Sequence, residues 1–178
     1  MEKPPHKAEF PPLLPQGFHA HSPEAVRQLC VDGFPDSPVR AEIWAGLATI
    51  LERIAAVNIT CEVWLNGSFT TQKPEPDDVD FILIAASHYR SAGTQEQQDL
   101  IEWLINREDE PKTAFKCHTD CVLEFPEGSP FYGLFEDDKA HWEELYGFSV
   151  TTHEPKGIVV LKFEEKQPKK EPDEGSGK

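Results

Sequence analysis

The chain has 178 residues, and at roughly 150 residues per domain it reads as one domain with a core large enough to fold without staples. Its 17 Lys and Arg face 32 Asp and Glu, and the net charge of −15 disfavours tight, sequence-independent DNA or RNA binding through the phosphates alone, so no long nucleic-acid duplex is expected as a partner. A hydrophobic fraction of 38% with eleven Phe and four Trp is too rich for wholesale disorder, and no run approaches the ~20 apolar residues of a membrane span.

The first residues lack the apolar run of a secretory signal, so the expected location is the cytoplasm. Residues 1–16 contain five prolines and read as a loose Pro-rich segment. Ser22-Pro23 and Ser37-Pro38 each set a capping hydroxyl before a proline at the first helical position, so a helix is expected from each. From the second, Ile43, Trp44, Leu47, Ile50, Leu51 and Ile54 form one apolar stripe, which predicts a packing helix over 38–56. Strands are expected at 62–65 and 79–85. Thr94 with Gln97 three residues on forms a capping box that leads into Leu100, Ile101, Leu104 and Ile105, predicting a helix over 94–107. Two further strands are expected at 115–125 and 158–163, since these runs are rich in β-branched and aromatic residues and bounded by Gly, Pro or Asp. The polar stretch 164–178 reads as a disordered tail, which leaves 17–163 as the folded domain. The first sixteen residues hold two acids and two bases and the last fifteen hold five acids and four lysines, so −14 of the charge belongs to that domain. The alternation of helices and strands predicts an α/β or α+β fold, a sheet covered by helices.

Between the first two strands, polar residues are fenced closely by apolar runs. Side chains two apart on a strand share a face, so Asp78 and Asp80 aim two carboxylates at one point while Val79 and Phe81 face the other way. Like charges this close call for a cation, and hard divalent ions such as Mg²⁺ or Mn²⁺ are held by one or two carboxylates together with substrate phosphates. Gly67-Ser68 follows a strand and supplies a backbone that can approach a phosphate and a hydroxyl that can bond it. Lys73, in the loop between the two motifs, and Arg40 are candidate phosphate contacts, with surface ion pairing as the plain rival for each. An acidic turn and an ordinary tight turn are the plain rivals for the carboxylate pair and for Gly67-Ser68.

A strand, Gly-Ser, about ten residues and then Asp-x-Asp opening the next strand resembles the signature of the polymerase-β-like nucleotidyltransferase superfamily. Within it, Trp64-Leu65-Asn66-Gly67-Ser68-Phe69, Lys73-Pro74 and Pro76-Asp77-Asp78-Val79-Asp80 resemble small bacterial and phage nucleotidyltransferase-like proteins. The likeness spans roughly residues 10–163. It implies the superfamily's fold, a mixed sheet packed by helices, with Gly67 and Ser68 on an NTP, Asp78 and Asp80 on Mg²⁺ or Mn²⁺, and a third acid on a later strand. Asp77 departs from the pattern, since many members have Ser there. The implied activity moves a nucleoside monophosphate from an NTP to a protein, small-molecule or RNA-end acceptor. The alternative is a catalytically silent binding module or regulator in a toxin–antitoxin or phage-defence system.

The third acid is placed at Asp120. A strand over 115–125 puts Lys116, His118, Asp120, Val122 and Glu124 on one face, and Asp120 can meet Asp78 and Asp80 across strands about 4.8 Å apart. Glu124 lies about 13 Å further along, and Asp99 and Glu102 sit on the wet side of their helix. His118 is a candidate for orienting an acceptor or a carboxylate. Cys30, Cys61, Cys117 and Cys121 read as reduced thiols. Cys117 and Cys121 share the strand face opposite His118 and Asp120, so a zinc site there is disfavoured. His19 and His21 are given no role.

Overall fold

The computed structural model describes residues 9–106 and 110–166. Five strands form one mixed sheet in the order β1-β5-β2-β3-β4, with β1 Gly17–Ala20, β2 Cys61–Asn66, β3 Val79–Ala86, β4 Cys117–Glu124 and β5 Gly157–Phe163. β2 runs antiparallel to both β3 and β5, while the outer pairs β1–β5 and β3–β4 are parallel. Helices cover both faces, so each side of the sheet has its own apolar cluster. No helix among the described residues is long and apolar enough to cross a membrane.

The expected helix starts are present. Ser22 caps α1 (Pro23–Arg27), which runs on into a π-helical turn at Gln28–Asp32, and Ser37 caps α2 (Pro38–Ala56), each with proline in the first turn. α2 buries Ile43, Leu47, Ile50, Leu51 and Ile54 against the sheet, the stripe read from its periodicity. The capping box of Thr94 and Gln97 opens α4 (Gln95–Ile105), after the single turn α3 (His88–Ser91). α4 packs Leu100, Ile101 and Leu104 on the same face of the sheet as α2.

Three elements differ from expectation. The fourth strand starts at Cys117 instead of Phe115, because α5 (Glu110–Phe115) precedes it and Lys116, at φ +52°, turns the chain from helix into strand. The end of α5 rests on Gly46 of α2, where any Cβ would run into the Phe115 backbone. α6 (Tyr132–Gly147) was not foreseen: its stripe is sparse, with Phe135 and Tyr146 buried and Trp142 half-buried amid acids. It nevertheless covers the second face, over Trp64, Ile82, Ile84, Val122, Ile158 and Val160. β1 is the third, four residues that add to the edge of β5, with Phe18 stacked 4.8 Å from Trp64.

The ends are held more firmly than their composition suggests. Leu13 and Leu14 pack on the core, Leu13 N–H donates to Thr70 O (3.0 Å), and Gly157 N–H donates to Leu14 O (3.2 Å). At the other end Glu165 N–H donates to Thr60 Oγ1 (3.1 Å), Lys166 N–H donates to Asn58 Oδ1 (2.7 Å), and Tyr89 Oη donates to Glu165 (2.8 Å). The expected loose segments therefore begin as parts of the fold at 9–16 and 164–166. Their remainders, 1–8 and 167–178, lie outside the described residues.

Candidate functional site

β2 ends at Asn66, and the chain leaves it through Gly67 at φ +81°, a left-handed conformation that glycine adopts without steric cost. Asn66 is opposite Asp80 in the register, and a Cβ on residue 67 would collide with Asp80 Oδ2. Glycine is thus required twice, for its backbone angle and for the carboxylate beside it. Gly67 N–H donates to Asn66 Oδ1 (2.6 Å), and Ser68 opens the single 3₁₀ turn Ser68–Thr70. Ser68 O accepts from Thr71 N–H (3.2 Å) and Thr71 Oγ1 (2.8 Å), which fixes the turn.

Arg40, a candidate phosphate contact by sequence, does not reach this site. It is 0% exposed and lies beneath the loop, donating to Cys30 O, Phe69 O, Thr71 O and Lys73 O. It holds the loop shape from below. Lys73 is the cation that the loop presents, with its Nζ 2.9 Å from Asp77 Oδ2. That pair gives a role to the extra acid before Asp78: it tethers the lysine.

On the face covered by α6, the parallel register of β3 and β4 sets His118 opposite Asp80 and Asp120 opposite Ile82. His118 Nδ1–H donates to Asp80 Oδ1 at 2.9 Å. Asp120 lies one pair deeper, about 7 Å along the strand, and its Oδ1 accepts from Cys121 N–H (2.8 Å). Asp78, just before β3, has Lys112 Nζ 3.8 Å from its Oδ2. Asp99, Glu102 and Glu124 are exposed and line none of this, as their positions on helix and strand predicted. Cys117 and Cys121 point to the opposite cluster, where burial first of all pushes their thiols up to about 12. His19 Nε2 pairs with Pro15 O (2.8 Å), outside the site.

These groups share one cavity of about 450 Å³. Gly67, Ser68, Lys73, Asp78, Asp80 and Asp120 all line it, although the sequence separates the first from the last by a helix-containing stretch. Sequence reading missed the opposite wall. Trp142, Leu145 and Tyr146 of α6, then Phe148 and Val150, form an apolar half, and Phe10 adds to it from the N-terminal segment. Burial, with the charges of Asp80 and Asp120, pushes the Tyr146 phenol well above its usual range. Glu9 joins two parts of the wall, accepting from Thr151 N–H (2.6 Å), Thr152 N–H (3.1 Å) and Thr152 Oγ1 (2.8 Å). Desolvation alone would raise its carboxyl, but these bonds outweigh it and hold the pKa at about 2.

Lys156 was also missed. It precedes β5 and is 8% exposed, with its Nζ donating to Asn66 Oδ1 (2.6 Å) and Gly67 O (3.3 Å). Its signal in the sequence is slight, a lone lysine between Pro155 and Gly157 at the head of an apolar strand.

The cavity's carboxylates supply the hard oxygen donors that Mg²⁺ or Mn²⁺ takes, so the residues suit such an ion chemically. Their present arrangement is a partnered one: His118 occupies one oxygen of Asp80 and Lys112 faces Asp78. Among the described residues, no three His, Cys, Asp or Glu side chains are gathered closely enough to hold an ion as they stand.

Residues 5–162 match the model of a family described as a family of unknown function, DUF6932. No curated protein and no solved structure matches the chain.

Proposed function

Since the chain belongs to this family of unknown function, its activity has to be read from its own side chains, and we propose that it is a nucleotidyltransferase of the polymerase-β-like kind. It moves a nucleoside monophosphate from an NTP to a protein, small-molecule or RNA-end acceptor: the acceptor oxygen bonds to the α-phosphorus as the α–β phosphoanhydride breaks and pyrophosphate leaves. The observation that carries this reading is the meeting of Gly67, Ser68, Lys73, Asp78, Asp80 and Asp120 in one cavity. The mixed five-stranded sheet, with the glycine turn after one strand and Asp-x-Asp entering its antiparallel neighbour, supports the same fold kinship.

In this reading the Gly67-Ser68 backbone lies against the phosphate chain and Lys73 neutralises part of it. Asp78 and Asp80 hold Mg²⁺ or Mn²⁺, with Asp120 as the third acid deeper in the cavity. When bound, the ion supplies charge neutralisation of phosphate oxygens. His118, held by Asp80, orients the acceptor hydroxyl, and the apolar wall of Trp142, Leu145 and Phe148 shelters the nucleoside from water.

A second reading, the catalytically silent module or defence-system regulator, is favoured by one observation: both carboxylates of the Asp-x-Asp pair already have basic partners. Incubation with each α-labelled NTP, Mg²⁺ or Mn²⁺, and a lysate or RNA separates the two. Transfer of label that Asp78→Asn abolishes is the expected result, and no transfer from any NTP leaves the silent module.

A further inference from the structure

Lys156 carries a charge to the buried base of the Gly67 turn. The residue is more than nine-tenths buried, and both hydrogen-bond acceptors of its ammonium, Asn66 Oδ1 and Gly67 O, are neutral. Among the described residues none of the ion pairs includes it. Burying an ammonium with no carboxylate at ion-pair distance is unfavourable, and burial lowers its pKa, against the opposing pull of the Asp80 and Glu9 charges. An ammonium has three N–H groups and two are used, so one donor is left over on a side chain that lines the cavity.

We infer that Lys156 is an anion-binding residue, which takes a phosphate oxygen of a polyphosphate ligand seated against the Gly67-Ser68 turn. Lys156 Nζ reaches Gly67 O from the head of β5, and Lys73, in the loop that follows the turn, lines the same cavity. The position explains the burial. A charge desolvated in advance and held by two fixed acceptors is already oriented when the anion arrives, which makes the contact stronger than one from an exposed lysine. It also makes the turn and the cation one unit, because the same Asn66 Oδ1 accepts from both Gly67 N–H and Lys156 Nζ. The inference rests on the nucleotide reading only for the identity of the ligand that bears the polyphosphate.

Inorganic tripolyphosphate with Mg²⁺, measured by calorimetry on the full chain, is the probe. Wild-type protein should bind it, and Lys156→Met and Lys156→Gln should each weaken binding about tenfold or more. Lys156→Gln keeps a donor for Asn66 and so separates loss of charge from loss of the fold, which thermal melting follows in parallel. In the wild-type protein the Lys156 Cε–Hε resonance should also move as tripolyphosphate is added, a readout that needs no variant. No binding by the wild type, binding by both variants as tight as the wild type's, or an unmoved Lys156 resonance overturns the inference. If tripolyphosphate binds through Lys156 while no NTP donates label, the anion site stands and the transferase reading falls.

Discussion

Arg40 keeps a full charge in the core because every donor it has finds a carbonyl. Nε donates to Lys73 O, Nη1 to Cys30 O and Phe69 O, and Nη2 to Thr71 O and Lys73 O, at 2.6–3.2 Å. Those are all five N–H groups of a guanidinium, and the Phe34 ring stacks 3.7 Å from its centre. Removing it would strand four carbonyls under the loop that carries Lys73. Arg40→Met is therefore expected to cost about 3–5 kcal/mol in denaturant unfolding. Arg40→Lys should recover little of it, since three donors on one nitrogen cannot reproduce the fork. A loss below about 1 kcal/mol for Arg40→Met would show that water replaces the guanidinium.

The C-terminal strand β5 does not end the packed chain. Three residues past Phe163, the backbone of Lys166 is bonded to Asn58, which sits at φ +54° in the turn between α2 and β2. Glu165 meanwhile satisfies Thr60 and Tyr89. The contacts pin that turn to the strand that follows it in the sheet. Truncation after Phe163 should cost about 1–2 kcal/mol by urea unfolding, the sum of a few modest hydrogen bonds. An unchanged midpoint would mean that the bonds are made equally well to water. The polar composition of 164–166 hid this, because composition reports what a segment can bury and not which backbone donors it can satisfy.

All four cysteines are free thiols packed in or against the core, and burial raises each of them from 9.0 to about 12. An unfolded chain would release these protons from about pH 9 upward while the folded chain keeps them, so the unfolded state is favoured as pH rises from 9.0 toward 12. The expected stability is flat in this respect below pH 9 and then falls by about 1.4 kcal/mol per pH unit for each thiol involved. Tyr146, raised from 10.0, adds to the same loss. Urea unfolding between about pH 8 and about pH 11 under reducing conditions checks it, and a flat profile would mean that the thiols are reachable by water in the folded protein. The starts of α1, α2 and α4, the stripe of α2, the four long strands and the spacing of Gly67-Ser68 from Asp78 and Asp80 were legible in the sequence. Each is a signal within a few neighbouring residues: a cap before a proline, a period, a pair two apart. The second wall of the cavity was not legible, because its contacts join Lys156 to Asn66 across 90 positions and Glu9 to Thr151 across 142. Nor was the pairing of Asp80 with His118, since alternation assigns a face but strand register decides which residues on that face meet. α6 illustrates the same limit, since its weak stripe becomes a buried face only when Trp64, Ile82 and Val160 from three strands are assembled beneath it. Local chemistry chose the elements and one side of the site, and long-range packing closed the cavity around it.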